Sequence, residues 1–411
     1  MRLGVFANTA KRHAERIHLT VYNPFVRFDL VEDIWTSLLG KCPHSYFLSW
    51  GWVDSWIRSL PPDCGVSLIA GFKNDSPILA FFVGSHNVIR HRLFRAGQLS
   101  LNSTLIPFFD SLCLEYNAVL IDPDITIALE NMVEMIPLKN WDEFYMPRYS
   151  PVYCPNLIIR DMSRKYNLKI LDRRNSYYVD LEGVRKNNMD YLALLSNNRR
   201  QQIRRTLKEY KKWGDIHVRV AGSAKDALGI FEKLVLLHQK EWKNRGQPGA
   251  FGTDYMIKFH KNLISRRFDH GEIQLMEITA GMNPIGCLYN FLYQGCVLFY
   301  QSGFSYLAKN VYRPGLVCHY HAVLHNAAKG FLLYDFLADD SQYKKSLSTD
   351  SNEMLSILVQ KSRLKYKVEN RIRTLYHFGQ ERLSMNGAGR QPRLFSLLEK
   401  LKRLKSWKKT V

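Results

Sequence analysis

Eleven consecutive residues, Tyr334-Asp335-Phe336-Leu337-Ala338-Asp339-Asp340-Ser341-Gln342-Tyr343-Lys344, set acids, tyrosines and a lysine at the end of an apolar run. The ends of buried strands are where α/β proteins place polar groups, because a rigid sheet aims them into a crevice. Asp335 is then either a desolvated carboxylate raised towards base duty or an ion-paired structural acid. Upstream, Arg313-Pro314-Gly315 precedes a run with helical character. Proline in a first turn marks a helix start, and the open N–H groups there bind phosphate well with an arginine beside them. His238 and Trp242 stand i, i+4 on an apolar helix with Phe231, Leu234, Val235 and Leu237, so His238 either packs at a core edge or contacts substrate. His319, His321 and His325 share one helix without an adjacent carboxylate, so no metal site is expected.

The elements that must position these residues are read from periodicity and turn residues. In the C-terminal part, helices are expected over residues 190–213, 224–244, 255–266 and 316–329, with strands over 218–220 and 331–337. Three apolar runs, 273–279, 285–292 and 297–303, are separated by Gly281-Met282-Asn283-Pro284 and Tyr293-Gln294-Gly295, which predicts an antiparallel meander. In the N-terminal part, residues 18–22 alternate like a strand and 43–60 form an amphipathic helix. Runs 66–72 and 78–84 flank Lys73-Asn74-Asp75-Ser76-Pro77 as a hairpin. A helix over 129–136 and strands over 141–146 and 177–181 complete the reading.

Composition narrows the function classes. The chain has 411 residues, 46% of them hydrophobic and 13% aromatic, enough to bury a sizeable core. No stretch reaches ~18 uninterrupted apolar residues, so no membrane-spanning helix is expected. Residues 1–23 lack the apolar centre of a signal peptide. Seven scattered cysteines without a C-x-x-C pair argue against a disulfide framework and a zinc site, and for free thiols in the cytoplasm. A net charge of +21 favours anionic partners: nucleic acid, acidic lipid or a phosphate-bearing cofactor. There is no G-x-x-x-x-G-K-[ST], H-E-x-x-H, G-x-S-x-G or H-x-x-x-D, which removes support for kinase-like, zincin, serine-hydrolase and condensing-type readings.

Several words occur together in order. They are Leu195-Ser196-Asn197-Asn198-Arg199-Arg200-Gln201-Gln202-Ile203-Arg204-Arg205, His238-Gln239-Lys240-Glu241-Trp242-Lys243-Asn244-Arg245-Gly246 with Gly249-Ala250-Phe251, and Tyr300-Gln301-Ser302-Gly303-Phe304. Pro314-Gly315-Leu316 and Asp335-Phe336-Leu337 with Asp340 and Tyr343-Lys344 complete the series. Over residues 175–350 the chain resembles the GNAT-related acyltransferases called CelD-like, relatives of the FemABX aminoacyl transferases. Phe47-Leu48-Ser49-Trp50 and Pro77-Ile78 resemble that family's degenerate first half. Asp339 departs from the glycine of the family pattern.

The resemblance implies an α/β fold of two tandem GNAT-like units with mixed, mostly antiparallel sheets flanked by helices. The units would be a degenerate one at 1–165, an acyltransferase unit at 166–360 and a basic helical tail at 361–411. It implies an acyl-CoA donor such as acetyl-CoA, no metal, and direct attack of an amine or hydroxyl on the thioester. Gln301 and Ser302 would line the thioester, Arg313, Gly315 and Leu316 hold the pyrophosphate, and Lys344 bind donor phosphate. Asp335 would be the base and Tyr343 the acid for the departing thiolate, with His238, Trp242 and Arg245 facing the acceptor. Family analogy adds a sugar-linked or polysaccharide acceptor.

Two other readings stay open: an aminoacyl-tRNA-dependent transferase of the FemABX kind, and a non-catalytic scaffold that binds nucleic acid or anionic membrane. The basic side of the 190–213 helix (Arg200, Arg204, Lys208, Lys211) suits an anionic partner or plain solvation. A tail stripe of Leu394, Leu397, Leu398, Leu401 and Leu404 suits peripheral membrane, partner or core docking.

Overall fold

The computed structural model describes residues 17–90, 94–160, 162–338, 341–369 and 371. The leucine stripe of the tail and the acids Asp339 and Asp340 lie outside the described residues. Of the described residues, those within 17–88 and 95–361 form one compact unit; 89, 90, 94, 362–369 and 371 fall in another, in which 364–369 make a helical turn.

The larger unit begins with β1 (His18–Tyr22), α1 (Phe28–Leu39) and α2 (Trp50–Ser59). Then come β2 (Val66–Lys73), β3 (Ser76–Arg90) and β4 (Phe94–Leu101). Two-residue β5 (Leu120–Ile121) and β6 (Ile127–Ala128) precede α3 (Leu129–Met135), β7 (Glu143–Tyr149), β8 (Leu157–Ile158) and the long β9 (Tyr166–Asp180). After it come α4 (Leu181–Lys186), α5 (Asn197–Lys211), β10 (Ile216–Val220), α6 (Ala224–Asn244) and α7 (Asp254–Arg267). The meander β11 (Ile273–Ala280), β12 (Asn283–Tyr293) and β13 (Cys296–Phe304) leads into α8 (Pro314–Ala328). Last are β14 (Leu333–Ala338), α9 (Gln342–Lys345) and β15 (Asp350–Lys361).

The result is a mixed α/β fold with one large, mostly antiparallel sheet flanked by helices. Its strand order is β1-β2-β3-β4-β7-β15-β9-β14-β13-β12-β11-β10, with β5 paired to β3. That order reads alike from both ends. Three strands run inward from each edge strand, and the fourth (β4 or β13) pairs parallel with the next (β7 or β14). The middle is an antiparallel pair, β15 and β9, over nearly their full length.

Local chemistry accounts for most of these elements. Asn74 and Asp75 take positive φ (49° and 60°), as do Gln294 and Gly295 (47° and 78°). Two successive left-handed residues give the twist that closes a two-residue hairpin. Ser49, Ser196 and Ser223 accept the N–H of Trp52, Arg199 and Asp226 and so cap α2, α5 and α6.

These caps correct two expected boundaries. Residues 46–48 form a buried 3₁₀ turn rather than the start of a helix at 43, since Ser49 begins α2. The helix expected from 190 begins at Asn197, because Asp190 caps a separate turn, Tyr191–Leu194, that buries Tyr191. The expected strand 177–181 is the end of the fifteen-residue β9, and β4 and β15 were not anticipated.

One face of the second half packs α6 and α7 into a core continuous with that of the first half; the other face carries α5 and α8 over a smaller cluster. An aromatic group joins the halves. Trp52 of α2 meets Phe259 of α7 edge-on at 5.2 Å, and Tyr46 stacks on Phe291 of β12 at 4.4 Å. Such pairs add about 0.5–1.5 kcal/mol each beyond their burial. No described helix is long and apolar enough to cross a membrane.

Candidate active site

Parallel pairing of β13 with β14 covers only Cys296–Leu298 against Leu333–Asp335. Beyond it β13 follows β12 to Phe304 and β14 follows β9 to Ala338, so the two strands open a wedge at their C-terminal ends. A register shift opposite Tyr289 and Asn290 places a bulge at Tyr300, the residue before Gln301 and Ser302. The α8 side of the wedge is floored by His319, whose ring lies 4.5 Å from Phe299 and 5.1 Å from Phe336. Its Nδ1 is 3.0 Å from the Tyr334 hydroxyl, its Nε2 has no partner, and burial pushes its pKa down to about 3. It is therefore a neutral imidazole.

Pro314 opens α8, and the Gly315 N–H belongs to the first turn, where no intrahelical acceptor exists. The Tyr343 hydroxyl lies 2.5 Å from where a Cβ on Gly315 would sit, so only glycine admits the phenol there. That hydroxyl is buried without a hydrogen-bond partner, and burial raises its pKa far above the usual phenol range. Beside it, Arg199 Nη1 and Arg313 Nη1 both donate to one acceptor, Gln202 Oε1, at 2.8 and 3.0 Å. Neither guanidinium is ion-paired among the described residues, and the Arg199 Nε is buried and unpartnered. Burial, with Arg313 nearby, lowers the Arg199 pKa. Two crowded cations stand at a helix N-terminus with no carboxylate partner among the described residues, an arrangement suited to an anion. Arg199 and Gln202 sit inside the Asn197–Arg205 word, which was the readable signal, yet their convergence on Arg313 was not.

Asp335 lies 4% exposed between the halves. The Tyr116 hydroxyl, the Ser176 hydroxyl (2.7 Å) and the Leu337 N–H (2.7 Å) all donate to it. Burial raises its pKa while these bonds pull the other way. Leu337 is left-handed (φ 60°), a conformation that costs a non-glycine residue energy. Three charged side chains hold that peptide. Asp335 takes the Leu337 N–H, Glu115 takes the Ala338 N–H at 2.6 Å, and Lys344 Nζ donates to the Leu337 carbonyl at 3.2 Å. Burial pushes the Glu115 carboxyl up to about 7, against the charge of Arg148 at 3.3 Å. Glu115 was not singled out in the sequence, and only the fold brings it to this strand end.

At the end of β13 the Gln301 side-chain oxygen accepts the Ser302 N–H at 3.2 Å. The Ser302 carbonyl is 2.9 Å from His238 Nδ1, and the Ala250 N–H donates to His238 Nε2 at 3.1 Å. This assigns the proton to Nδ1 and leaves neither ring nitrogen free. His238 thus ties α6 and the 249–251 loop to β13, and burial lowers its pKa. Trp242 packs on His238 (5.7 Å), and Arg245 lies between Trp242 and Tyr306 with its Nε on Glu241 at 2.7 Å. Leu316 is buried, and its N–H returns to the Arg313 carbonyl at 3.1 Å. Of the basic face of α5, Arg200 turns to the carbonyls of Ala193 and Leu195. So Arg313, Gly315 and Tyr343 gather at one point; Gln301, Ser302, His238 and Trp242 at another; Asp335 and Lys344 at a bulge on β14 around Leu337, where the register with β9 shifts. Among the described residues no three His, Cys, Asp or Glu side chains group as metal ligands.

The first half has the same parting of strands. β4 and β7 pair parallel over Gln98–Ser100 and Glu143–Tyr145, then diverge. Here the opening holds a cavity of about 310 Å³, bounded by Trp56, Leu105, Asp110, Cys113, Arg148 and Arg174 among others.

The family described as acetyltransferase (GNAT) domain matches residues 197–345. No curated protein matches the chain significantly in sequence. Among solved structures, FemX is 10% identical at a TM-score of 0.48, covering 80% of this chain and 96% of its own. The C-terminal domain of a putative lysylphosphatidylglycerol synthetase from Agrobacterium fabrum is 10% identical (TM-score 0.45; 84% and 96% covered). A tandem GNAT protein from the clavulanic acid biosynthesis pathway is also 10% identical (TM-score 0.43; 84% and 98% covered).

Proposed function

We propose that this protein is an acyltransferase that takes an acyl group from a coenzyme A thioester to an amine or hydroxyl. The observation that carries the reading is the pair Arg199 and Arg313, joined through Gln202 and without a carboxylate among the described residues, beside the open first turn of α8. The acetyltransferase-domain match over 197–345 supports it. In this reading the cradle holds the donor's phosphates, and the thioester lies along the wedge past Gln301 and Ser302. The acceptor attacks the thioester carbonyl carbon; the C–S bond breaks as the new C–N or C–O bond forms. The Tyr343 hydroxyl protonates the leaving sulfur and is reprotonated by the hydrogen the acceptor sheds. The Tyr343 hydroxyl is buried and free of other partners, so its proton is in place where the thiolate departs. Asp335 and Lys344 act by holding the Leu337 bulge that leads to Tyr343. His238 acts by anchoring the Ser302 carbonyl.

Calorimetric titration with coenzyme A, acetyl-CoA and tRNA at two salt concentrations tests the assignment. Saturable coenzyme A binding that weakens about tenfold or more with Arg313→Ala is expected. Binding of tRNA alone, steeply weakened by salt, would replace this reading with a tRNA-dependent transferase.

A further inference from the structure

We propose that the cavity of the first half holds the acyl acceptor, and that this acceptor is a compact amine whose ammonium docks on Asp110. The inference rests on the acyltransferase reading above. The volume, about 310 Å³, suits a molecule of one ring or a short chain. Trp56, Leu105, Phe109, Leu112, Leu114 and Pro147 give it an apolar wall.

The charges facing the cavity are not equivalent. Arg174 is spent on Asp172 at 2.6 Å, and Arg148 on Glu115 at 3.3 Å. Asp110 has only neutral donors: the Thr104 N–H and hydroxyl, both at 2.8 Å, and the Leu105 backbone. No cation pairs with it among the described residues, and His86 influences it only at longer range. Asp110 is thus the carboxylate of this cavity without a cation partner among the described residues, within a chain of net charge +21. Burial raises the Asp110 carboxyl above the usual range, a cost that an incoming ammonium relieves.

Position adds the second argument. The wall segment 112–116 is bonded to both strands of the other half's wedge. The Tyr300 hydroxyl donates to the Leu112 carbonyl at 2.9 Å, and the Ala338 N–H donates to Glu115. An amine held here therefore adjoins the strands along which the thioester would lie. To react, the ammonium releases one proton to water. The free amine then forms the C–N bond as the C–S bond breaks, and its second proton ends on the coenzyme A thiol.

Cys113 supplies the test, because it lines the cavity and is the exposed cysteine, the other six being buried or partly so. Its alkylation by N-ethylmaleimide is followed on the full chain with phenethylamine or with 2-phenylethanol, a neutral analogue of similar size. The amine should slow alkylation about tenfold more than the alcohol, the discrimination of one charge-assisted hydrogen bond. Asp110→Asn, which keeps an acceptor for Thr104, should abolish the difference. If Asp110→Asn does not fold, the wild-type comparison decides alone. Equal protection by amine and alcohol, or none by either, overturns the proposal. Acetyl-CoA titrated into the same sample separates the two readings. Donor binding without amine protection sinks the cavity assignment alone, and amine protection without donor binding sinks the donor assignment alone.

Discussion

The first and second halves of the sheet share a strand order but differ in the helices placed after their diverging strands. In the second half the wedge is succeeded by fifteen-residue α8, which starts Pro314-Gly315 with no acid in its first turn and two arginines beside it. The counterpart α3 has seven residues, Glu130 in its first turn and no side-chain cap. A long helix with a bare, cation-flanked start attracts anions, and a short one with a carboxylate there repels them. The first half instead keeps open space and a half-buried acid, Asp110, without a cation partner among the described residues. One arrangement, repeated, carries a cationic cradle in one half and an amphiphilic hollow in the other.

Substitutions at matched places break or sharpen that contrast. The largest effect belongs to Tyr343→Phe, which should cut acyl transfer by roughly 10²-fold or more while coenzyme A still binds, since only the proton is removed. Steady-state turnover beside calorimetry checks it; unchanged turnover would exclude Tyr343 as the acid. Arg199→Ala or Arg313→Ala should each weaken coenzyme A binding by about tenfold or more. Glu130→Ala in α3, the matching position of the first half, should leave it unchanged.

The Glu115 carboxyl, raised by burial to about 7 from 4.5, favours its protonated form in the folded state. Stability from this group is therefore present below pH 4.5 and lost as pH rises through about 7. Buried neutral histidines such as His260 and His319, whose pKa values burial lowers, act in the opposite sense below pH 6.5. The difference between wild type and Glu115→Gln isolates the carboxyl. Wild-type stability should fall relative to the variant by on the order of 3 kcal/mol between pH 4.5 and 7.5, read from urea melts.

Gly303 and Gly84 are paired tests of packing. A Cβ at Gly303 would overlap the Leu234 carbonyl of α6, and one at Gly84 the Ser103 carbonyl of the first-half loop. Alanine at either site should cost about 1–3 kcal/mol by the same melts. The smallest effect lies in the hairpins. The second half's turn already has Gly295, whereas the first half's has Asp75 at φ 60°, so Asp75→Gly should stabilise by roughly 0.5–1 kcal/mol.

What was legible in the chain was local. The 224–244 helix, both hairpin turns and the Pro314 helix start arise from periodicity and turn chemistry, which act over a few residues. The start of α5 was misplaced because Asp190 and Ser196 are both good caps, and burial of Tyr191 decided between them. β15 contains the apolar run 354–359 and was readable as a strand, but its place at the centre of the sheet was not. Residue types singled out Arg313, Gly315 and Tyr343, which the fold brings together. The partners that set the surroundings of Asp335, Glu115 and Tyr116, come from about 220 residues away and carry no local mark.

The central β9–β15 pair has a consequence for how this chain is made. β9, emitted after the first half, borders the second half's β14, while β15, emitted last, borders β7 of the first. The second half lends its final strand, β15, to the first, while its opening strand β9 stays with β14. A nascent chain therefore shows an uncovered β7 flank until Lys361 has left the ribosome, and a gene cut between the halves would yield two fragments that complete one sheet only together.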